Sequence, residues 1–235
     1  MLSKIKPPFF ELGPKSYMYG RDVVDIALLA DEEAVKNDIR VIFTAPLILL
    51  ERIASRTKNL YVFAPCMDDI RIGPGGGGGK VLPESVRDAG AHGVCLNHPE
   101  RPVSLSALCG LIQKARDLGL YSEVCASSMA EVRAVANLSP NIIISEPAEL
   151  IGTAESADLS YIRTSLETVG SVNADISVLI GAGISSGNDV YKCIYAGADA
   201  AGSASGIFNA KDPKAKLREM FAAVRRAWDD RQNGV

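Results

Sequence analysis

The chain has 235 residues, 47% of them hydrophobic, and a formal net charge of −3. That length suits one large α/β domain or two small ones, with enough apolar residues to bury a substantial core. The slight acidity and the lack of any basic run argue against a nucleic-acid binder, and no apolar run is long enough to span a bilayer.

Apolar runs alternate with amphipathic segments along the chain. A strand is expected at Phe9–Leu12, followed by a helix at Asp22–Lys36, where Val23, Val24, Ile26, Ala27 and Ala30 fall on one face. Strands follow at Arg40–Phe43 and Leu60–Ala64. Next comes Gly73-Pro74-Gly75 through Gly79, a glycine run that holds no local structure by itself and reads as a long exposed loop. Asp88-Ala-Gly90 stops a helical pattern ahead of a strand at Gly93–Leu96. A helix at Leu105–Asp117 stops at Gly119, and a strand at Tyr121–Cys125 leads to Ser127-Ser128, a start signal for a helix from Met129. Strands at Asn141–Ile144, Ser177–Ile180 and Ala200–Gly202 complete the set. Ser186 to Asp189 opens the helix Val190–Tyr195, Gly197 stops it, and a last helix covers Ala215–Trp228.

Eight strand–helix units of roughly 29 residues each match a (β/α)8 barrel, expected here as a single domain over 1–235. The competing open doubly wound sheet lacks its sign, since no Gly-x-Gly-x-x-Gly follows the first strand. Five Cys (66, 95, 109, 125, 193) and two His are scattered with no Cys-x-x-Cys. No metal site is expected, and the thiols read as reduced core residues. The start Met1-Leu-Ser-Lys4 lacks a secretory apolar stretch, so a cytoplasmic location is expected.

Strand carboxyl ends carry the chemistry of such a barrel. Ile142, Ile143 and Ile144 run into Ser145-Glu146-Pro147, which places a carboxylate at that end, with Gly152-Thr153 one loop length away. Glu146 reads as a base behind a lid with a stiff start and a mobile end, or as a solvated Glu in an ordinary turn. His98 follows the fourth strand in Asn97-His98-Pro99-Glu100-Arg101. A neutral imidazole there could donate to a substrate carbonyl, although a lone His is more often structural. His92, at the opposite rim, reads as structural. Lys15, after the first strand, either attracts an anion and stabilises an oxyanion or is an ordinary surface lysine. Gly181-Ala-Gly183-Ile-Ser185-Ser186-Gly187 and Gly202-Ser203-Ala-Ser205-Gly206 follow the last two strands. Small residues there let backbone N–H groups approach a phosphate, or simply make tight turns.

Together these segments resemble the triosephosphate isomerase family over most of the chain. Glu146-Pro147-Ala-Glu149-Leu-Ile-Gly152-Thr153 is similar to the lid loop of its compact archaeal branch, Leu96-Asn97-His98-x-Glu100-Arg101 to the electrophile segment, and Gly181-Ala-Gly183-Ile-Ser185 to the phosphate loop. The resemblance implies a cofactor-independent aldose–ketose isomerase acting on a small phosphorylated sugar. Glu146 would be the base and His98 the neutral acid. Lys15 would stabilise the enediolate, with Glu100 orienting it. Gly152, Ser185, Gly202 and Ser203 would contact the phosphate. The glycine run stands where the family inserts a loop into a neighbouring subunit, so the resemblance also implies a homo-oligomer, dimer or tetramer. Three positions depart from the family: Gly13-Pro14-Lys15 replaces Asn-x-Lys, Pro99 replaces a Ser, and Gly202-Ser203 replaces Gly-Gly. An isomerase of a four-carbon ketose phosphate such as erythrulose phosphate is the near alternative. A non-catalytic phosphate-binding barrel is the distant one.

Overall fold

A computed structural model describes residues 2–15, 18–70, 77–150, 153 and 155–234. Among them, eight parallel strands close into a barrel in chain order: β1 (Phe9–Leu12), β2 (Arg40–Thr44), β3 (Leu60–Ala64), β4 (Gly93–Leu96), β5 (Tyr121–Ala126), β6 (Ile142–Ser145), β7 (Ser177–Ile180) and β8 (Ala200–Ser203). The last strand pairs with the first, Phe9 opposite Ala200 and Leu12 opposite Ser203. The helices α1 (Arg21–Lys36), α2 (Leu50–Ala54), α3 (Pro83–Asp88), α4 (Leu105–Asp117), α5 (Met129–Ala136), α6 (Leu159–Gly170), α7 (Gly187–Tyr195), α8 (Ser205–Phe208) and α9 (Pro213–Asn233) surround it.

Strand alternation sorts the side chains into two cores. Phe10, Leu12, Val41, Phe43, Val62 and Ala64 point outward to the helices; α9 seats Phe221 against Phe10, ring centroids 5.4 Å apart. Phe9, Ile42, Phe63, Cys95, Tyr121, Cys125, Ile142, Ile144 and Leu179 point inward. The amino-end mouth is plugged by Ile5 and tied by Tyr121 Oη, which donates to the Ser3 carbonyl at 2.8 Å. Each fully buried side chain of this size contributes roughly 1.5–3 kcal/mol, which leaves the carboxyl-end loops free to vary.

The caps follow the sequence signals. Ser128 and Ser186 cap α5 and α7, the latter in a reciprocal capping box with Asp189. Gly90 and Gly119, just past α3 and α4, take positive φ, which a side chain would resist. Four strands reach one residue further than expected, to Thr44, Ala126, Ser145 and Ser203, and Asn141 lies outside its strand. Polar residues at three of these ends extend the ladder because each of their side chains finds a hydrogen-bond partner. Thr44 Oγ1 donates to Glu11, Ser203 Oγ donates to the Ile184 carbonyl, and Ser145 Oγ meets Tyr161 and Ser165. Asn141 instead uses Oδ1 to accept from the Ser122 amide at 2.9 Å. No helix of the described residues is long and apolar enough to cross a membrane.

Candidate active site

A cavity of about 570 Å3 opens at the carboxyl ends of the strands. Lys15 after β1, His98 and Glu100 after β4, Glu146 after β6, Gly181 to Ile184 after β7, and Gly202 and Ser203 of β8 all line it. Three side chains of different chemistry, separated by up to 131 positions in sequence, thus face one space.

Glu146 is set by β6: its amide donates to the Ala126 carbonyl at 3.1 Å, continuing the ladder one step past Ser145. Burial raises its carboxyl above the ordinary 4.5, against the Lys15 charge and a hydrogen bond from the Cys125 thiol. A carboxylate that is costly to keep ionised is a better proton acceptor.

His98 is set by its neighbours on the same loop. Asn97 adopts positive φ, its Nδ2 donates to the Cys125 carbonyl at 3.0 Å, and its Oδ1 accepts from the Val103 amide at 3.1 Å. The Glu100 amide donates to His98 Nδ1 at 3.2 Å. An accepting Nδ1 carries no proton, so the neutral ring bears its hydrogen on Nε2. Burial, and then the Lys15 ammonium, hold His98 below the ordinary 6.5, with Glu100 opposing. Near neutral pH the ring is an uncharged donor.

Lys15 Nζ lies 3.1 Å from Glu100 Oε1, and that contact holds Glu100 below its ordinary range. Arg101 ties the same loop to the segment after β3, donating to Cys66 Sγ at 2.7 Å and to Asp68 Oδ1 at 2.5 Å.

Residues 15–224 match the sequence model of triosephosphate isomerase. The chain belongs to the triosephosphate isomerase family. It is 34% identical over 232 residues to the triosephosphate isomerase of Sulfolobus acidocaldarius, which covers 97% of this chain and 99% of the relative. It is likewise 34% identical to the triosephosphate isomerase of Methanosarcina mazei over 222 residues, covering 92% of this chain and 99% of the relative. A third, from Methanocaldococcus jannaschii, is 34% identical over 208 residues, 87% of this chain and 94% of the relative.

The remaining positions expected from the family resemblance fall differently. Gly202 and Ser203 line the cavity. Ser185 does not face it as they do. Its amide and Oγ both donate to Asp189 Oδ2, at 3.2 and 3.3 Å, as the Ser186 amide and Oγ also do. Gly152 lies outside the described residues. So do residues 73–76 of the glycine run.

Sequence reading missed the cavity floor and what lies beneath it. Glu11 on β1 and Glu123 on β5 both sit at inward positions of strands that are otherwise largely apolar, and that isolated charge was the available signal. Glu11 lines the cavity; Glu123 is fully buried, and neither of its oxygens has a hydrogen-bond partner among the described residues. Burial holds Glu123 well above the ordinary 4.5, with Cys95, Glu11 and Glu146 adding to the effect. His92 is structural: Nδ1 accepts from the Val62 amide at 3.2 Å and the ring meets Tyr61 edge-on. Among the described residues no group of three His, Cys, Asp or Glu is placed to hold a metal ion.

Proposed function

We propose that this chain interconverts dihydroxyacetone phosphate and D-glyceraldehyde 3-phosphate through an enediolate. The observation that carries the reading is the meeting of Glu146, His98 and Lys15 around one cavity that the small-residue turns after β7 and β8 also line. The pairing of a carboxylate base with a neutral imidazole is the known chemistry of this family, and the roles are carried over from it.

In this reading the Glu146 carboxylate removes a proton from the carbon beside the carbonyl. Electron density moves to the carbonyl oxygen, which His98 Nε2–H and the Lys15 ammonium stabilise. Glu146 then returns the proton to the neighbouring carbon, while His98 moves a proton between the two oxygens. Lys15 is held by Glu100. Gly202 and Ser203 receive the phosphate, and Gly152 and Ser185 are proposed to join them when the segment after Glu146 closes. Closure keeps water from the enediolate, which would otherwise expel phosphate. No organic cofactor or metal has a step in this scheme.

A four-carbon ketose phosphate is the second reading. Gly13 brings no side chain to the cavity it lines, and Pro99, beside His98, has no side-chain donor. Losing a polar partner at such a site commonly costs ~1–3 kcal/mol. Turnover of the three- and four-carbon ketose phosphates on one preparation separates the two. A clear preference for the longer substrate overturns the first reading. Binding of 2-phosphoglycolate with no turnover of either substrate points to a non-catalytic barrel.

We also propose a cytoplasmic homo-oligomer, dimer or tetramer. Five free thiols fit a reducing compartment, and Tyr19 and Ile48, 75% and 86% exposed, crown the cavity rim with apolar surface. Light scattering that returns the mass of one chain would contradict the oligomer.

A further inference from the structure

The floor of the cavity carries a carboxyl group that the scheme above does not use. Phe9, Glu11 and Gly13 alternate inward along β1 and its exit; Phe9 belongs to the barrel interior, and Glu11 and Gly13 line the cavity. Glu11 Oε1 stands 2.8 Å from the point where a Cβ on residue 13 would lie, and Oε2 stands 3.1 Å from the equivalent point on Gly202. The carboxyl therefore fills space that side chains at 13 and 202 would claim. An Asn at 13, the residue the family usually places there, would push the Glu11 carboxyl out of its present position.

The groups facing Glu11 come from every side of the barrel. Thr44 Oγ1 on β2 donates to Oε1 at 2.7 Å. Lys15 and Glu146 act on it from the rim, and Glu11 in turn helps to raise Glu123 on β5. No hydrogen bond among the described residues engages Oε2, so that oxygen is the one left to meet a bound molecule. A carboxylic acid offers one O–H donor and one carbonyl acceptor, the same pair a side-chain amide offers.

We propose that Glu11 is a specificity-determining residue, a neutral carboxyl acid that hydrogen-bonds an oxygen of the bound ketose phosphate from below and stands in for the amide missing at Gly13. Burial supports the acid form: it raises Glu11 to about 7, with Glu146 reinforcing the rise and Thr44 and Lys15 opposing it. The assignment rests on the sugar-phosphate reading above, deepens it, and explains Gly13 and Glu11 as one exchange: the polar group moves down two residues along the strand while its functional end stays near the same height.

The test is read in binding, so that it survives a failure of the isomerase reading. Affinities for 2-phosphoglycolate, which carries a carboxylate beside the phosphate-bearing carbon, and for inorganic phosphate are measured by calorimetry at about pH 6 and about pH 8, on either side of the Glu11 titration. Wild type is compared with Glu11→Gln, Glu11→Ala and the double variant Glu11→Ala/Gly13→Asn. Glu11→Ala is expected to weaken 2-phosphoglycolate by about tenfold at the lower pH, the scale of one lost buried hydrogen bond, while phosphate is unchanged. The double variant recovers most of the loss. Glu11→Gln keeps the lower-pH affinity and loses the part of the wild-type pH dependence that Glu11 supplies. Equal weakening of both ligands by Glu11→Ala, or no weakening, overturns the proposal, as does a double variant no better than Glu11→Ala. Should Glu11→Ala fail to fold, Glu11→Gln decides: a pH dependence identical to wild type overturns it. Wild-type turnover of neither ketose phosphate would sink the isomerase reading alone and leave this comparison standing.

Discussion

Ser156 Oγ donates to Asp189 Oδ1 at 2.8 Å, and this bond fastens the chain after the Glu146 loop to the first turn of α7. Asp189 Oδ2 meanwhile accepts from the amides and hydroxyls of Ser185 and Ser186. One carboxylate thus ties the turn after β7 to the foot of the Glu146 segment, and Lys192 Nζ adds a third tie by donating to Ser156 Oγ at 2.8 Å. Burial works to raise the Asp189 carboxyl, but these hydrogen bonds outweigh it and hold the group below its ordinary 3.8.

Replacing Asp189 with Ala removes all of these acceptors at once and strands their donors. The loss of the capping box and its partners should cost ~1–3 kcal/mol of stability. It should also raise KM for dihydroxyacetone phosphate several-fold, because the turn and the segment foot lose their shared anchor. Thermal melts and initial rates check this, and an unchanged KM would separate Asp189 from the site. The depressed carboxyl makes its contribution at neutral pH and loses it only as the pH falls below the ordinary Asp range.

The acid limb of activity should report Glu146. The base must be ionised, and burial places its titration above 4.5, while His98 is held below 6.5 and stays neutral at physiological pH. kcat/KM should therefore fall as the pH drops through the Glu146 titration, which burial places above the ordinary carboxylate value. An imidazole needed as a cation would instead make kcat/KM fall as the pH rises through the His98 titration, and an alkaline limb of that kind would contradict the neutral-acid role. The pH profile of kcat/KM decides.

Glu123 offers a stability prediction of opposite sign to most core substitutions. Its two oxygens are buried and have no partner among the described residues, so a methionine of similar length removes a desolvation cost without opening a void. Glu123→Met should raise stability by ~1–3 kcal/mol, as urea unfolding would report. The raised carboxyl sets the sign with pH: ionising it is unfavourable in the folded state, so wild-type stability falls as pH rises from the ordinary Glu value. The variant's advantage should grow in the same direction. A destabilised variant would mean that Glu123 has a partner in solution.

Strands buried on both faces read as apolar runs, and Ile142–Ile144 and Val94–Leu96 were legible for that reason. Ser186 and Gly119 were legible because caps act within a few residues. The polar strand ends at Thr44 and Ser145 were not, since their partners Glu11 and Tyr161 lie 33 and 16 positions away. The candidate site was legible where it sits past strand ends: Lys15, His98, Glu100 and Glu146 all line the cavity. Ser185 shows the limit. A serine in a glycine-rich turn reads as an anion contact, yet Asp189 four residues on takes both of its donors. Glu11 was hidden inside Phe9–Leu12, where only the three-dimensional register shows that it rises beside Gly13.

Glu146→Gln is the most direct test of the account. The amide keeps the size of the side chain and cannot accept the proton. kcat for dihydroxyacetone phosphate should fall by several orders of magnitude, at least ~4 kcal/mol of barrier, while 2-phosphoglycolate still binds. A Glu146→Gln enzyme that turns over like wild type would contradict the assignment of the base and with it the mechanism.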